Sequence, residues 1–287
     1  MTSIIPFESE IFLGFILIFS FGILHGSNDI LLIETISNKR ANYPFLKIIG
    51  IYLLTVLAAV GVFYFIPLLA LILFILFSSF HFGEQHWEHK IVAINKSIMH
   101  IYSFIYGLFI LTLLFLINAD EVILVIKSIS QYQITRISIL YGFFISLISL
   151  LGLTIYLFYI SPFFKSIFIK ELVYLLIFSV VFNVSSLIWG FTIYFIFWHS
   201  IPSLYEQITF IYGNFERGSV LSYIKKALPY WFISIVGLVI VYFVFKETHL
   251  IYAILFSFIA AVTFPHSIVI TKMFKQKTNP KVSAYEK

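Results

Sequence analysis

The sequence predicts an all-α fold, a polytopic integral membrane helix bundle of about nine transmembrane helices that forms one domain over residues 1–287. Three observations predict it. The chain is 61% hydrophobic and 11% charged, where soluble domains run at about 45–50% and about 25%, so lipid is the solvent for most of it. Its apolar residues gather in stretches of the roughly 20 residues that a spanning helix needs. Its basic residues fall almost entirely on one side of those stretches.

The first stretch, 10–28, follows Glu8 and Glu10 with no basic segment ahead of it, which argues against a cleaved signal peptide. The second and third, 44–66 and 67–84, meet at a tight turn at Ile66-Pro67, where proline suits the first position of a helix. The fourth and fifth are 97–118 and 136–160. The sixth and seventh, 166–183 and 186–204, flank the turn-forming run Asn183-Val184-Ser185-Ser186. The eighth and ninth are 228–246 and 249–271, and a short basic tail follows Lys272.

With the N-terminus outside and the C-terminus inside, all 18 Lys and Arg except Lys127, Arg136 and Lys246 lie on the inner side. Losing one central helix would destroy that bias, so the count and the orientation stand together. The net charge of +5 therefore reports orientation in the membrane and implies no nucleic acid partner. No internal repeat, soluble domain or long low-complexity tract interrupts the pattern. The expected location is the inner (plasma) membrane, crossed many times.

The chain has no cysteine, which removes disulfides, iron–sulfur clusters and thiolate ligands. Of its 8 histidines, His25, His81, His199 and His266 fall inside the first, third, seventh and ninth stretches, all running from outside to inside. Each lies about 13 to 16 residues from the outer end, roughly 20 to 24 Å of travel, which places the four in one layer of the inner half of the bilayer. Ionisable groups at that depth are costly and mark function by default.

Their neighbours are polar. Asp29 stands at i+4 from His25 and Glu84 at i+3 from His81, one helical turn away, where a carboxylate can orient an imidazole. Gly26 and Gly83 permit close helix approach at the same layer, and Pro265 before His266 can kink its helix. Neutral imidazoles without thiolates suit iron, copper, nickel or zinc and argue against calcium or magnesium. A b-type haem would want two histidines on one helix in two planes, which is not this pattern. His86 and His89 read as a solvated segment beyond the third helix, and His100 and His249 as structural residues near span ends.

Four blocks in order resemble the Brp/Blh-type β-carotene 15,15′-dioxygenase family of rhodopsin-bearing microbes: His25-Gly26-x-x-Asp29 ending the first helix, Phe80-His81-Phe82-Gly83 ending the third, His199-Ser200 in the seventh and Pro265-His266 in the last. The resemblance implies a membrane-embedded enzyme that uses His-bound Fe(2+) and O2 to cleave the central double bond of β-carotene into two all-trans retinal molecules. The retinal would pass to a microbial rhodopsin. The family's third block usually reads His-x-x-x-His, and Ser203 stands here in place of its second histidine. Either His266 completes a four-histidine set, as its depth in the same layer favours, or His25, His81 and His199 hold the metal with a weaker fourth ligand; His25, His81, His199 and His266 are expected as metal and catalytic residues, with Asp29, Glu84 and Ser203 supporting them.

A carotenoid already dissolved in the bilayer would enter laterally, and stiff aromatics beside the ligands would wall its path: Phe80, Phe82, Trp87, Trp189, Phe197 and Trp198. Most of the chain's 35 Phe and 18 Tyr are ordinary lipid-facing or packing residues. The rival reading is a multi-pass transporter or metal permease using the same histidine layer. The absent repeat and the scarcity of intramembrane carboxylates weigh against it.

Overall fold

The computed structural model describes residues 6–38, 45–87, 90, 95–245 and 251–277. The expectations placed on Lys39, Arg40, His89, Lys246, His249, Lys281 and Lys287 lie outside those residues. Among the described residues every element is helical. In chain order these are α1 (Phe7–Leu17), a π-helical turn (Ile18–Gly22), α2 (Ile23–Gly26), α3 (Asp29–Asn38), α4 (Phe45–Phe65), α5 (Pro67–Trp87), α6 (Lys96–Ile117) and α7 (Ala119–Ser130). There follow α8 (Arg136–Ile160), α9 (Pro162–Asn183), α10 (Leu187–Ile193), a second π-helical turn (Tyr194–Ser200), α11 (Ile201–Tyr212), α12 (Arg217–Phe245) and α13 (Ile251–Lys277).

Within the described residues each of the nine apolar stretches falls mainly on helix. Among the described residues, six helices are long and apolar enough to cross a membrane: Phe12–Ser37, Pro67–Trp87, Lys96–Ile117, Arg136–Ile160, Pro162–Asn183 and Leu187–Tyr212. Local chemistry sets the starts. The side chains of Asn95, Thr135, Ser161 and Ser186 accept hydrogen bonds from the backbone N–H groups of Ser97, Ser138, Phe164 and Trp189, which satisfies donors that a helix leaves open at its N-terminus. Gly213, at φ 80°, ends α11 in the left-handed conformation that glycine adopts without steric cost.

Two helices outrun their hydropathy. The first does not end at Asn28: after a turn at Ser27-Asn28 it resumes as α3 and reaches Asn38. The third does not end at Glu84 but continues to Trp87, because Glu84 and Gln85 are polar yet buried and His86 is paired with Glu171. Helix α7 was not expected at all, since 12 residues with Asp120 and Glu121 in the first turn are too short and too polar to read as a span.

The chain divides into two compact units, Met1–Ile18 with Leu71–His199, and Phe19–Ala70 with Ser200–Lys287. In the first unit, Tyr106, Ile110 and Leu114 of α6 pack with Leu150 and Leu157 of α8 and with Phe182 of α9. A hydrogen bond of 2.7 Å between Thr112 and Ser146 pins α6 to α8 inside this apolar cluster. Helices α5 and α6 cross through two matched Ser-x-x-x-Gly motifs, Ser79 to Gly83 and Ser103 to Gly107: a Cβ on Gly83 would overlap the Ser103 carbonyl and one on Gly107 the Ser79 carbonyl. Small residues that let helix backbones touch are the usual way to pack helices when lipid removes the hydrophobic incentive.

The C-terminal end of α5 carries an ion cluster. His86 Nε2 donates to Glu171 Oε2 at 2.6 Å, Lys90 Nζ donates to Glu171 Oε1 at 2.8 Å, and the Tyr106 ring stacks on His86 at 4.9 Å. Burial pulls the Lys90 ammonium below the ordinary lysine range, and the Glu171 carboxylate opposes the shift. His86 is therefore a half-buried, paired residue within α5 rather than part of a solvated segment. Its carboxylate partner arrives from α9, 85 positions away in sequence, while Lys90 Nζ lies 2.8 Å from the same ring nitrogen.

In the second unit, Leu32, Ile33 and Ile36 of α3 pack against Val269, Ile270, Met273 and Phe274 of α13, with Tyr52 of α4 laid on them. Gln276 Nε2 donates to the Ile36 carbonyl at 3.1 Å and ties the far ends of α3 and α13 together.

Candidate metal centre

The second unit brings His25 of α2 and His266 of α13 together. Their ring centroids are 4.6 Å apart at an interplanar angle of 85°, and they offer ring nitrogens within 4.8 Å of one another. Both are buried, at 4% and 3% exposure. Asp29, the first residue of α3, sits between polar partners: its Oδ1 is 2.7 Å from His266 Nδ1 and its Oδ2 accepts a hydrogen bond of 3.0 Å from the Tyr52 hydroxyl.

A carboxylate only accepts, so His266 Nδ1 is the donor of this bond, and in a neutral imidazole Nε2 then carries the lone pair. That arrangement of carboxylate, imidazole and outward Nε2 is how proteins prepare a histidine to bind metal.

Deeper in the same unit runs a buried polar chain. Asn28 Nδ2 donates to the Tyr223 carbonyl at 3.1 Å, the Tyr223 hydroxyl donates to Gln207 Oε1 at 2.6 Å, and Gln207 Nε2 donates to Ser203 Oγ at 3.0 Å. Ser203 is thus the end of a hydrogen-bonded series, fully buried on α11.

The first unit holds the other two histidines as a second pair. His81 of α5 and His199 of the π-helical turn Tyr194–Ser200 have ring centroids 4.6 Å apart at 74°, and both are buried. Phe82 meets the His199 ring edge-on at 4.7 Å and Phe195 stacks on it at 5.4 Å and 24°. The α5–α6 crossing at Gly83 lies half a turn from His81 and fixes its helix. Glu84 is buried on the same helix at 2% exposure.

The structure rearranges several expectations. Asp29 does not reach His25 along one helix turn, because the helix is interrupted at Ser27-Asn28; it reaches His266 from another helix instead. Gly26 is not required by close packing, since a Cβ there would meet only Val262 at an ordinary 3.8 Å, whereas Gly83 is. Of the six expected tunnel aromatics, Phe82 contacts a site histidine ring, at 4.7 Å from His199 and 6.1 Å from His81. Trp87 packs in a cage with Tyr102, Tyr106 and Phe164, and Trp198 against Phe178 and Tyr174. Phe80 stands beside His100, Trp189 is half-buried, and Phe197 is 59% exposed on an outer face. Residues adjacent in sequence to a histidine point to different sides of the helix, which is why the other five rings lie against other neighbours.

Tyr52, Phe195, Gln207 and Tyr223 were not anticipated. Each belongs to an apolar or unmarked stretch, and only the tertiary fold brings it to the histidines or their neighbours.

The family model for beta-carotene 15,15'-dioxygenase matches residues 16–274, a segment that contains all four histidines. No curated protein and no solved structure matches the chain.

Proposed function

Because the chain belongs to the beta-carotene 15,15'-dioxygenase family, we propose that it is a membrane-embedded non-haem iron dioxygenase that cleaves the central 15,15′ double bond of β-carotene with O2. The products are two all-trans retinal molecules, one oxygen atom in each, for delivery to a microbial rhodopsin. The observation that carries the reading is the family match over residues 16–274, with the four histidines inside it.

In this reading His25, His81, His199 and His266 hold one Fe(2+). Their common depth in the sequence supports the set, and so does the donor chemistry: buried imidazoles, two T-shaped pairs, and a carboxylate that fixes which nitrogen of His266 presents its lone pair. The ion, when bound to neutral ligands with open positions, supplies activation of O2. Asp29 retains the Nδ1 proton of His266 and holds the ring plane. Phe82 and Phe195 close on the His199 ring and keep water from it. Ser203, tied to Gln207, leaves the fourth ligand position to His266. Glu84 supports the His81 end.

The whole chain acts as one transmembrane domain of nine spans in the inner membrane, N-terminus outside, and the carotenoid enters from the bilayer. The test is metal analysis of the purified protein followed by incubation with β-carotene under ¹⁸O2. The expected result is about one iron per chain and two retinals per carotene, each labelled. Absence of iron together with intact β-carotene would overturn the proposal, and unlabelled retinal would overturn the dioxygenase mechanism.

A further inference from the structure

We propose that Tyr52 is a positioning residue that acts on the metal site through Asp29, fixing the carboxylate so that His266 keeps its Nδ1–H and presents Nε2. The inference rests on the reading of His266 as a ligand and adds a residue from a third helix.

The geometry is specific. Asp29 has two oxygens and each has one partner: His266 Nδ1 at 2.7 Å on Oδ1 and the Tyr52 hydroxyl at 3.0 Å on Oδ2. Asp29 itself is 2% exposed. A carboxylate with one donor can rotate about its side-chain torsion, which is broad for aspartate. A second donor on the other oxygen fixes the plane and with it the direction in which Oδ1 accepts. The imidazole follows, because a ligand ring is oriented by the partner of its distal N–H.

Tyr52 is itself held. Its ring packs on the cluster of Leu32, Ile33, Ile270 and Phe274, so the hydroxyl's position is set by apolar contacts that a phenylalanine would keep. The carboxylate also begins α3, where the open N–H end of the helix favours negative charge. Three helices, α3, α4 and α13, thus meet at one carboxylate, and Tyr52→Phe would remove the α4 hydrogen bond while keeping the ring's packing.

The test uses the full-length apo protein in detergent, titrated with Co2+ as a spectroscopic probe. Tyr52→Phe is expected to weaken Co2+ binding by about 10-fold and Asp29→Ala by about 10- to 100-fold. The double variant is expected to be no weaker than Asp29→Ala alone, because Tyr52 acts only through Asp29. With ¹⁵N-labelled histidine, the wild type should show the Nδ1–H tautomer at His266, and Tyr52→Phe a mixture of tautomers with an unchanged thermal transition. A merely structural tyrosine would move the transition and leave the tautomer alone. If Asp29→Ala fails to fold, Asp29→Asn takes its place in the cycle.

Penalties that add, or a Tyr52→Phe protein with wild-type affinity and tautomer, would overturn the inference while leaving the metal site intact. A wild-type protein that takes up no Co2+ would overturn the proposed function itself.

Discussion

Replacing Gly83 by alanine tests whether the α5–α6 crossing is as close as the structure has it. A Cβ at Gly83 would stand 2.5 Å from the Ser103 carbonyl carbon and 3.2 Å from its Cα, and both are backbone atoms of the facing helix. Neither can turn aside, so the helices must part by about 1 Å to restore ordinary contact. A radial gap of 0.5–1 Å forfeits about a quarter to a half of each dispersion contact across the crossing. Overpacking of this kind costs typically about 1–3 kcal/mol, and a clash with rigid backbone belongs at the upper end.

Alanine's better helix propensity returns up to about 1 kcal/mol, which leaves a net loss of about 2 kcal/mol. The measurement is reversible unfolding in mixed micelles, with Gly142→Ala on α8 as the control. A Cβ at Gly142 meets nothing within 4 Å, so that variant should match or slightly exceed the wild type. Gly83→Ala should also weaken metal uptake, since His81 sits two residues away on the displaced helix. If Gly83→Ala and Gly142→Ala unfold within about 0.5 kcal/mol of each other, the close crossing is wrong.

Three further outcomes are expected. Asp29→Ala should lower iron occupancy or turnover by about 10- to 100-fold without unfolding the protein, and unchanged iron content with unchanged retinal production would contradict it. Glu171→Ala strands His86 and Lys90 beside one another and should cost about 3 kcal/mol in the same unfolding assay; a neutral effect would mean that the cluster is solvated. Trp231→Phe deletes the hydrogen bond of 3.1 Å from the indole N–H to the Ser20 carbonyl and should cost about 1 kcal/mol, measured beside Trp231→Ala to separate that bond from ring packing.

The all-helical class and the positions of its apolar elements were legible because lipid forces every backbone group to pair within its own segment and leaves hydropathy as a clean signal. The four histidines were legible for the complementary reason: ionisable side chains are rare in such segments and stand out wherever they occur. Tyr52 was not, because a tyrosine in an apolar helix is compositionally ordinary, and its meaning lies in a carboxylate 23 positions away. The start of α5 at Pro67 was legible, but its C-terminal end extends past the expected Glu84 because Glu84, Gln85 and His86 lower the hydropathy although they pack against protein. The Glu171 partner that makes His86 tolerable sits on α9, beyond anything a sequence window covers.

The π-helical turns are the part of the site that sequence reading had no means to reach, and they bear directly on where two histidines point. A π-helical turn adds one residue to an α-helix, which rotates everything after it by about 100° relative to the uninterrupted helix. One such turn, Ile18–Gly22, ends three residues before His25, and the other, Tyr194–Ser200, contains His199. Without the first insertion His25 would face a different side of its helix from the one that meets His266. Inside the first turn the Ser20 carbonyl accepts a hydrogen bond of 3.1 Å from the Trp231 indole of α12. The sequence Ile18-Phe19-Ser20-Phe21-Gly22 carries no proline that would announce a break. The insertion is stabilised by α12, more than 200 residues further along, and so by the tertiary fold rather than by local preference.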